Sequence, residues 1–212
     1  MIRSPLWILC FLLGCGGSQP NAVTSARPGD PEGPPSIRAL PEADVPNAKL
    51  SKTMQRGVEL AEACLSIAPP PFPIGRTADE LNQWSEETLQ PWLKEKAHSA
   101  DLARQDLSIA AEEQHRQRIM AGGIVALMHE DIAQTLLSIP MPAELDSEPD
   151  IAKIYKETIE AQARPYLQHA RRAYRACMLN ARGLEGKMKN WRQFCQGRAE
   201  RLPLLNYYPN EE

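Results

Sequence analysis

The sequence predicts an all-α protein. Apolar residues recur three or four positions apart in several long segments, which is the spacing of one face of an α-helix. Most of the 19 prolines cluster before residue 50, at 69–73 and at 140–149, and so fall between these segments. No segment alternates apolar and polar residues as a half-buried strand does. We therefore expect an all-helical domain over residues 48–205 and a short tail over 206–212.

The first helix is predicted over residues 48–67. Its apolar face consists of Leu50, Met54, Val58, Ala61 and Leu65. The proline-rich stretch 68–73 ends this helix, because proline lacks the backbone donor and disfavours helix in the residue before it. We expect an extended connector that packs Phe72 and Ile74.

A short helix is predicted after Thr77. Glu80 stands three residues later, and the two side chains can form a capping box. The apolar residues of this helix are Leu81, Trp84 and Leu89. Pro91 either breaks the helix or restarts it, since proline is tolerated in a first helical turn.

Residues 92–139 contain no proline and are rich in helix formers, which predicts helix throughout. A thin apolar stripe in the first half widens in the second: Ala100, Ala103, Leu107 and Ala110, then Met120, Ile124, Leu127, Met128, Ile132, Leu136 and Ile139. Gly122 and Gly123 lie between the halves, and each glycine weakens a helix by about 1 kcal/mol. The pair indicates close helix packing or, alternatively, a kink.

Two further helices are predicted after the proline-rich stop at 140–142. The first spans residues 149–181 and should be kinked at Pro165, and Gly183 is well placed to end it. Its apolar stripe is Ile151, Ile154, Tyr155, Ile159, Tyr166, Ala170, Ala173, Tyr174 and Cys177. The second spans residues 187–202 and should bury Met188, Trp191, Cys195, Ala199 and Leu202.

The N-terminus carries a targeting segment. Arg3 precedes a short apolar run, and Leu12-Leu13-Gly14-Cys15 follows it. This order resembles the signal peptide and lipobox of bacterial lipoproteins. The apolar run is less than half of the roughly 20 residues that a membrane span needs, which disfavours a spanning anchor. Ordinary signal cleavage near Ala22 or Ala26 is the other alternative.

The lipoprotein resemblance implies that residues 1–14 are removed and that acyl chains on Cys15 hold the protein to a lipid bilayer. Gly16, rather than Asp, follows the cysteine, which by resemblance to Gram-negative lipoproteins implies the outer membrane. The Pro/Gly/Ser-rich stretch 15–47 is expected to be a disordered tether. For an exported protein we expect no nucleic-acid partner.

The charge is unevenly distributed. Residues 164–201 contain ten basic side chains against Glu185 and Glu200, so the rest of the chain holds 14 basic and 25 acidic residues out of 24 and 27 in all. One interpretation is that this basic end packs beside the acidic remainder and is balanced by it. The other is a contact surface for an anionic partner. Its candidate residues are Arg171, Arg175, Arg182 and Arg192.

Cys177 and Cys195 are predicted to form a disulfide. Position 186, in the predicted turn, lies nine residues from each, which places both at the same height of an antiparallel helix pair. Exported proteins retain disulfides, and bridging requires Cα atoms within about 7 Å. The alternative is two buried free thiols. No C-x-x-C is present, which leaves a redox enzyme or a four-cysteine zinc site little support.

Part of the C-terminal region resembles a tetratricopeptide (TPR) repeat. Ala170, Tyr174 and Cys177 reproduce the A-x3-aromatic-x2-small pattern of the second helix of that repeat. The resemblance runs from Ile151 onward, and the signature of the first helix is missing. It implies a terminal helical hairpin in a bundle or short TPR-like array, and such hairpins commonly offer a partner a broad surface.

The sequence shows no catalytic motif of the H-E-x-x-H, G-x-S-x-G or S-x-x-K type. Glu112 and His115 would share a helix face, which allows a metal-binding bundle as an alternative. His129-Glu130-Asp131 is rich in ligands, but consecutive helical residues point in different directions. A hydrolase site would have to combine scattered residues, including two or more of His98, His115, His129 and His169.

These observations together predict a membrane-anchored envelope lipoprotein. We expect a non-catalytic protein-binding or scaffold module that uses no cofactor or metal and whose partner is another envelope protein. An envelope hydrolase and a metal-binding helical bundle are the alternatives.

Overall fold

The computed structural model describes residues 49–203, except Arg76 and Glu185. The predicted signal peptide, tether and tail, and with them Cys15, lie outside these residues. The described part contains six α-helices and no strand, which confirms the all-α prediction. The helices are α1 (Lys52–Ser66), α2 (Ala78–Trp84), α3 (Gln90–Glu113), α4 (His115–Leu137), α5 (Pro149–Asn180) and α6 (Lys189–Arg201). A π-helical turn (Ser85–Leu89) joins α2 to α3, and a 3-10 turn (Ala143–Ser147) precedes α5.

Helix α4 is the centre of the bundle. It packs against α1, α3, α5 and α6, and almost all of its apolar side chains are buried. On one side, α1 lies against α3, and on the other, α6 lies against α5. None of the helices in the described range combines the length and hydropathy needed to cross a membrane.

The N-terminal elements follow the predicted pattern except at Ile74. Leu50, Met54, Ala61 and Leu65 are buried, and the Ser51 side chain caps α1 by accepting from the backbone N–H of Met54. Phe72 packs on Trp84 with 5.3 Å between ring centroids. Ile74 is fully exposed, so its predicted packing is wrong. It lies in the bend that leads into α2.

Pro91 restarts the helix. The predicted capping box at Thr77 and Glu80 is present, and α2 continues into α3 through the π-helical turn. The N–H of Gln90 donates to the carbonyl of Ser85, five residues back. Proline has no backbone N–H to donate to a carbonyl of the preceding helical turn. The π-helical turn, with its wider hydrogen bonding, ends immediately before Gln90 and Pro91.

The predicted uninterrupted helix over 92–139 is wrong at Gln114. That residue is extended, with φ −148° and ψ 136°, and α3 and α4 fold back on each other there. Side chains of α4 satisfy carbonyls at the end of α3: Gln117 Nε2 donates to Ala110 at 3.0 Å, and Arg118 Nε donates to Ala111 at 3.1 Å. These bonds replace the glycine or proline that usually marks a helix end.

Gly122 and Gly123 mark close packing, and α4 runs through both without a break. A Cβ atom on Gly123 would lie 2.9 Å from Trp191 Cζ3 and 3.1 Å from Cys195 Sγ. At Gly122 the nearest atom would be 3.4 Å away. Only a residue without a side chain at position 123 lets α6 approach this closely.

Helix α5 continues through Pro165, but its predicted apolar stripe is partly wrong. Its C-terminal half buries Ala170, Tyr174 and Cys177, whereas Ile151 is 46% and Ile154 61% exposed. The Tyr155 hydroxyl donates to the carbonyl of Pro140 at 2.9 Å. The first turns of α5 therefore lie beside the connector after α4, where α4 no longer covers them. Gly183 adopts φ +82° in the turn after α5, as predicted.

We predict opposite outcomes for alanine at the two adjacent glycines of α4. Gly123→Ala should destabilise the protein by about 1–3 kcal/mol, because the new methyl group overlaps Trp191. The matched control Gly122→Ala should be neutral or stabilising by up to about 1 kcal/mol, since alanine is the better helix former. Urea unfolding measures both, and equal free energies of unfolding for the two variants would contradict the close approach.

Candidate functional site

The C-terminal hairpin of α5 and α6 is closed by the predicted disulfide. The sulfur atoms of Cys177 and Cys195 are at bonding distance, and their Cα atoms are 6.3 Å apart. Trp191 is buried between the helices one turn from Cys195. Cys64 is a buried free thiol on α1, and burial raises its pKa. The equal spacing about residue 186 was therefore sufficient to identify the bonded pair.

A cleft of about 350 Å³ opens between the end of α5 and the outer face of α6. Its lining residues are Met178, Arg182, Arg192, Gln196, Ala199 and Glu200. Arg182 follows α5 in the turn and is exposed, whereas Arg192 is half-buried on α6. The partly buried Met178 and Ala199 supply apolar surface between the polar walls. The lining of the cleft therefore combines guanidinium groups, an amide, a carboxylate and aliphatic surface.

A smaller cleft of about 280 Å³ shares two residues with the first. It is lined by Lys189, Arg192, Gln193 and Gln196. The two clefts adjoin at Arg192 and Gln196 on α6, and we call them together the hairpin groove. Gln196 Nε2 donates to Glu200 Oε1 at 2.9 Å within it.

Two of the four candidate arginines, Arg182 and Arg192, converge on this groove. Arg171, Arg175 and Met178 are three or four residues apart and lie on one face of α5, whereas Arg182 follows in the turn. Neither lines the groove: Arg171 Nη2 donates to the carbonyl of Pro203 at 3.0 Å, and Arg175 is exposed. The four candidate arginines therefore divide into two that line the groove and two that do not.

The charge-balance interpretation holds for Arg198. Its Nη1 lies 3.2 Å from Glu130 Oε1, and the two side chains are only 19% and 3% exposed. The Tyr174 hydroxyl donates to the other Glu130 oxygen at 2.5 Å, and Gln134 Nε2 donates to Oε1 at 2.8 Å. Burial and the Glu130 carboxylate raise the pKa of Tyr174 far above its usual value, which keeps it a donor. This network joins α6 and α5 to α4.

The neighbouring carboxylate of Asp131 faces the opposite side of α4. It forms an ion pair with Lys96, with 2.7 Å between Oδ2 and Nζ, and the Asp131 and Lys96 side chains are 5% and 0% exposed. Lys96 also donates to the carbonyl of Ile67 at 3.0 Å. The three residues His129, Glu130 and Asp131 therefore point to three different neighbourhoods, as their consecutive positions predict.

His129 faces His169 of α5, with 5.1 Å between ring centroids, and Tyr166 lies 6.3 Å away. Its Nδ1 atom is buried and makes no hydrogen bond within the described structure. Burial, reinforced by His169, lowers the pKa of His129 to about 4. From α3, Asp101 opposes this shift and Arg104 adds to it. His129 is therefore neutral near pH 7.

This histidine pair is a contact that sequence reasoning missed, because it depends on the register between α4 and α5. It satisfies one condition of the hydrolase alternative, but neither cleft of the hairpin groove is lined by a histidine. His98 and His115 are exposed. The hydrolase alternative therefore stays a hypothesis.

Glu112 and His115 do not share a helix face, since the break at Gln114 separates them. His115 Nε2 lies 2.8 Å from the carbonyl of Asn180, and Glu112 is exposed. Among the described residues, no group of three or more His, Cys, Asp or Glu side chains is arranged to hold a metal ion. The premise of the metal-binding alternative at this pair is thus wrong.

Comparison with known proteins adds no assignment: no protein-family model, curated protein or solved structure matches this chain.

We predict that Lys96→Met destabilises the protein by about 3–5 kcal/mol, because it leaves the Asp131 carboxylate buried without its cation. Chemical denaturation measures the loss. Lys94→Met, on the exposed side of the same helix, is the matched control and should change stability little. The double variant Lys96→Met/Asp131→Leu should recover most of the loss, since a buried ion pair can be replaced by apolar side chains. A double variant as unstable as Lys96→Met would contradict this account.

We predict that His129 makes stability depend on pH. Its folded-state pKa lies below the unfolded value, so its contribution is present above about pH 6.5 and is lost as pH falls towards 4. Between pH 7 and 4.5 the wild-type protein should lose about 2–3 kcal/mol more than His129→Gln. Urea unfolding at the two pH values gives this difference, in which titrating carboxylates cancel. Equal losses in both proteins would show that His129 is not buried neutral.

Proposed function

We propose that this chain is a lipoprotein of the bacterial cell envelope whose helical domain is a non-catalytic binding module for another protein. The observation that carries the binding part is the convergence of Arg182 and Arg192 on the hairpin groove. Two guanidinium groups in one cleft give it positive charge, which attracts the carboxylates of a partner.

The support for membrane attachment comes from the sequence. Leu12-Leu13-Gly14-Cys15 has the order of a lipobox, and the proline- and glycine-rich stretch 15–47 has the composition of a flexible linker. About 30 residues of such a linker span some tens of Å, by the square-root scaling for flexible chains. A domain held at that distance can meet partners at or above the membrane surface.

Attachment would also raise the effective concentration of the groove for any partner in the same membrane. Both molecules would then meet within a layer near the membrane instead of in the whole surrounding volume. Membrane confinement would therefore let even a weakly binding groove serve a scaffold role.

Crosslinking in intact cells tests the proposal with three variants. The wild-type protein should fractionate with membranes and crosslink to a discrete partner. Cys15→Ala should lose the acyl mass and leave the membrane fraction, because its anchor is gone. Arg182→Glu/Arg192→Glu should stay in the membrane and lose the crosslink, because the groove has reversed its charge.

The matched control is Arg172→Glu/Lys156→Glu, which reverses two exposed charges of α5 outside the groove. It should retain both the membrane fraction and the crosslink. Membrane association that survives Cys15→Ala would overturn the lipoprotein assignment. An unchanged set of crosslinks in the groove variant would overturn the binding surface.

A further inference from the structure

We propose that the hairpin groove binds an extended acidic peptide segment of its partner. This inference rests on the proposed function and names the chemistry of the ligand. Its basis is the shape of the groove and the order of the side chains along it.

The length of the groove suits a short extended peptide. Its α6 wall runs from Lys189 through Arg192, Gln193 and Gln196 to Glu200, at the three- and four-residue spacing of a single helix face. The eleven residue steps from Lys189 to Glu200 rise about 16 Å along the helix. An extended chain covers that distance with about five residues.

The side chains of the groove divide into three chemical types. Arg182, Lys189 and Arg192 supply positive charge for carboxylates. Gln193 and Gln196 carry amide groups, which can bond the N–H and C=O groups of a peptide backbone. Met178 and Ala199 offer an aliphatic surface for an apolar side chain, and methionine adapts to varied shapes. An acidic peptide with one apolar residue between its acids uses all three types.

Glu200 argues against a densely charged polyanion. Its carboxylate lines the groove and is held there by Gln196. A phosphate-rich polymer or a charged headgroup layer would bring repeated negative charge against this carboxylate, whereas a peptide can place a neutral residue there. The observations therefore favour a protein segment over a lipid or nucleic-acid surface.

The test uses the full chain in detergent and a fluorescein-labelled six-residue peptide with two glutamates separated by one leucine. Anisotropy should show saturable binding that weakens as salt rises from 50 to 500 mM, as expected for about two ion pairs. Arg182→Glu and Arg192→Glu should each lower the affinity by about tenfold or more. Arg172→Glu, an equal change of charge outside the groove, should lower it less than twofold.

A peptide with glutamines in place of glutamates should bind at least tenfold more weakly. Equal binding of the glutamine peptide, or no binding of either peptide, would overturn the proposal. The proposal would also be overturned if anionic lipid vesicles bound more tightly than the peptide and their binding depended on the same arginines. Binding seen only after removal of residues 206–212 would show that Glu211 and Glu212 of the chain itself occupy the groove, which also overturns a partner in trans.

Circular dichroism and the urea midpoint show whether each variant is folded. If Arg192→Glu unfolds, Arg192→Gln removes the charge with less disturbance and is judged by the same tenfold criterion. The failure of this inference is distinguishable from that of the proposed function. Peptides that do not bind, together with a cellular crosslink that is lost in the groove variant, would leave the binding module intact and refute only the acidic ligand.

Discussion

Two adjacent buried carboxylates on α4 constrain the whole bundle. Glu130 and Asp131 are 2% and 4% exposed, and a buried carboxylate is tolerated only when it is paired and hydrogen-bonded. Consecutive positions on a helix point about 100° apart, so one cation cannot serve both. Lys96 of α3 must therefore approach α4 from one side and Arg198 of α6 from the other. The positions of α3 and α6 on opposite sides of α4 are therefore consistent with the pairing of these two carboxylates.

The same constraint explains the order of the elements around α4. Lys96 reaches Asp131 only if α3 returns antiparallel along α4, and the turn at Gln114 provides that return. Arg198 reaches Glu130 only if α6 lies against α4, which the missing side chain of Gly123 permits. A buried ion pair is weak evidence for stability but supports specificity of packing. Here a different register of α3 or α6 on α4 would separate Lys96 from Asp131 or Arg198 from Glu130.

The sequence was sufficient for features that depend on local order. Apolar periodicity and proline clusters located the helices, and the capping box at Thr77 and the equal spacing of Cys177 and Cys195 identified one helix start and one disulfide.

The sequence was insufficient where the deciding contact joins distant segments. At the turn at Gln114, Gln117 Nε2 donates to the carbonyl of Ala110 and Gln117 Oε1 accepts from the backbone N–H of Ser51, and no glycine or proline signals the turn. The exposure of Ile151 and Ile154 depends on where α4 ends. The pairing of His129 with His169, and the choice of Arg198 rather than another arginine for Glu130, depend on interhelical register.

The rigidity of the hairpin bears on the groove that it carries. Three independent contacts fix α6 against its neighbours: the disulfide to α5, the packing of Trp191 on Gly123, and the ion pair of Arg198 with Glu130. Arg192 lies on α6, and Arg182 lies in the turn just after α5, five residues beyond the disulfide at Cys177. A ligand of the groove would not have to bring the helices into position, and the binding free energy saved in this way is the advantage of preorganisation. If the arginines lay on a loosely held helix, the entropy cost of ordering their side chains and backbone would offset much of the favourable electrostatic energy of binding. The ion pair of Glu130 with Arg198 thus connects the packing of the core to the helix that carries Arg192 and most of the lining of the hairpin groove.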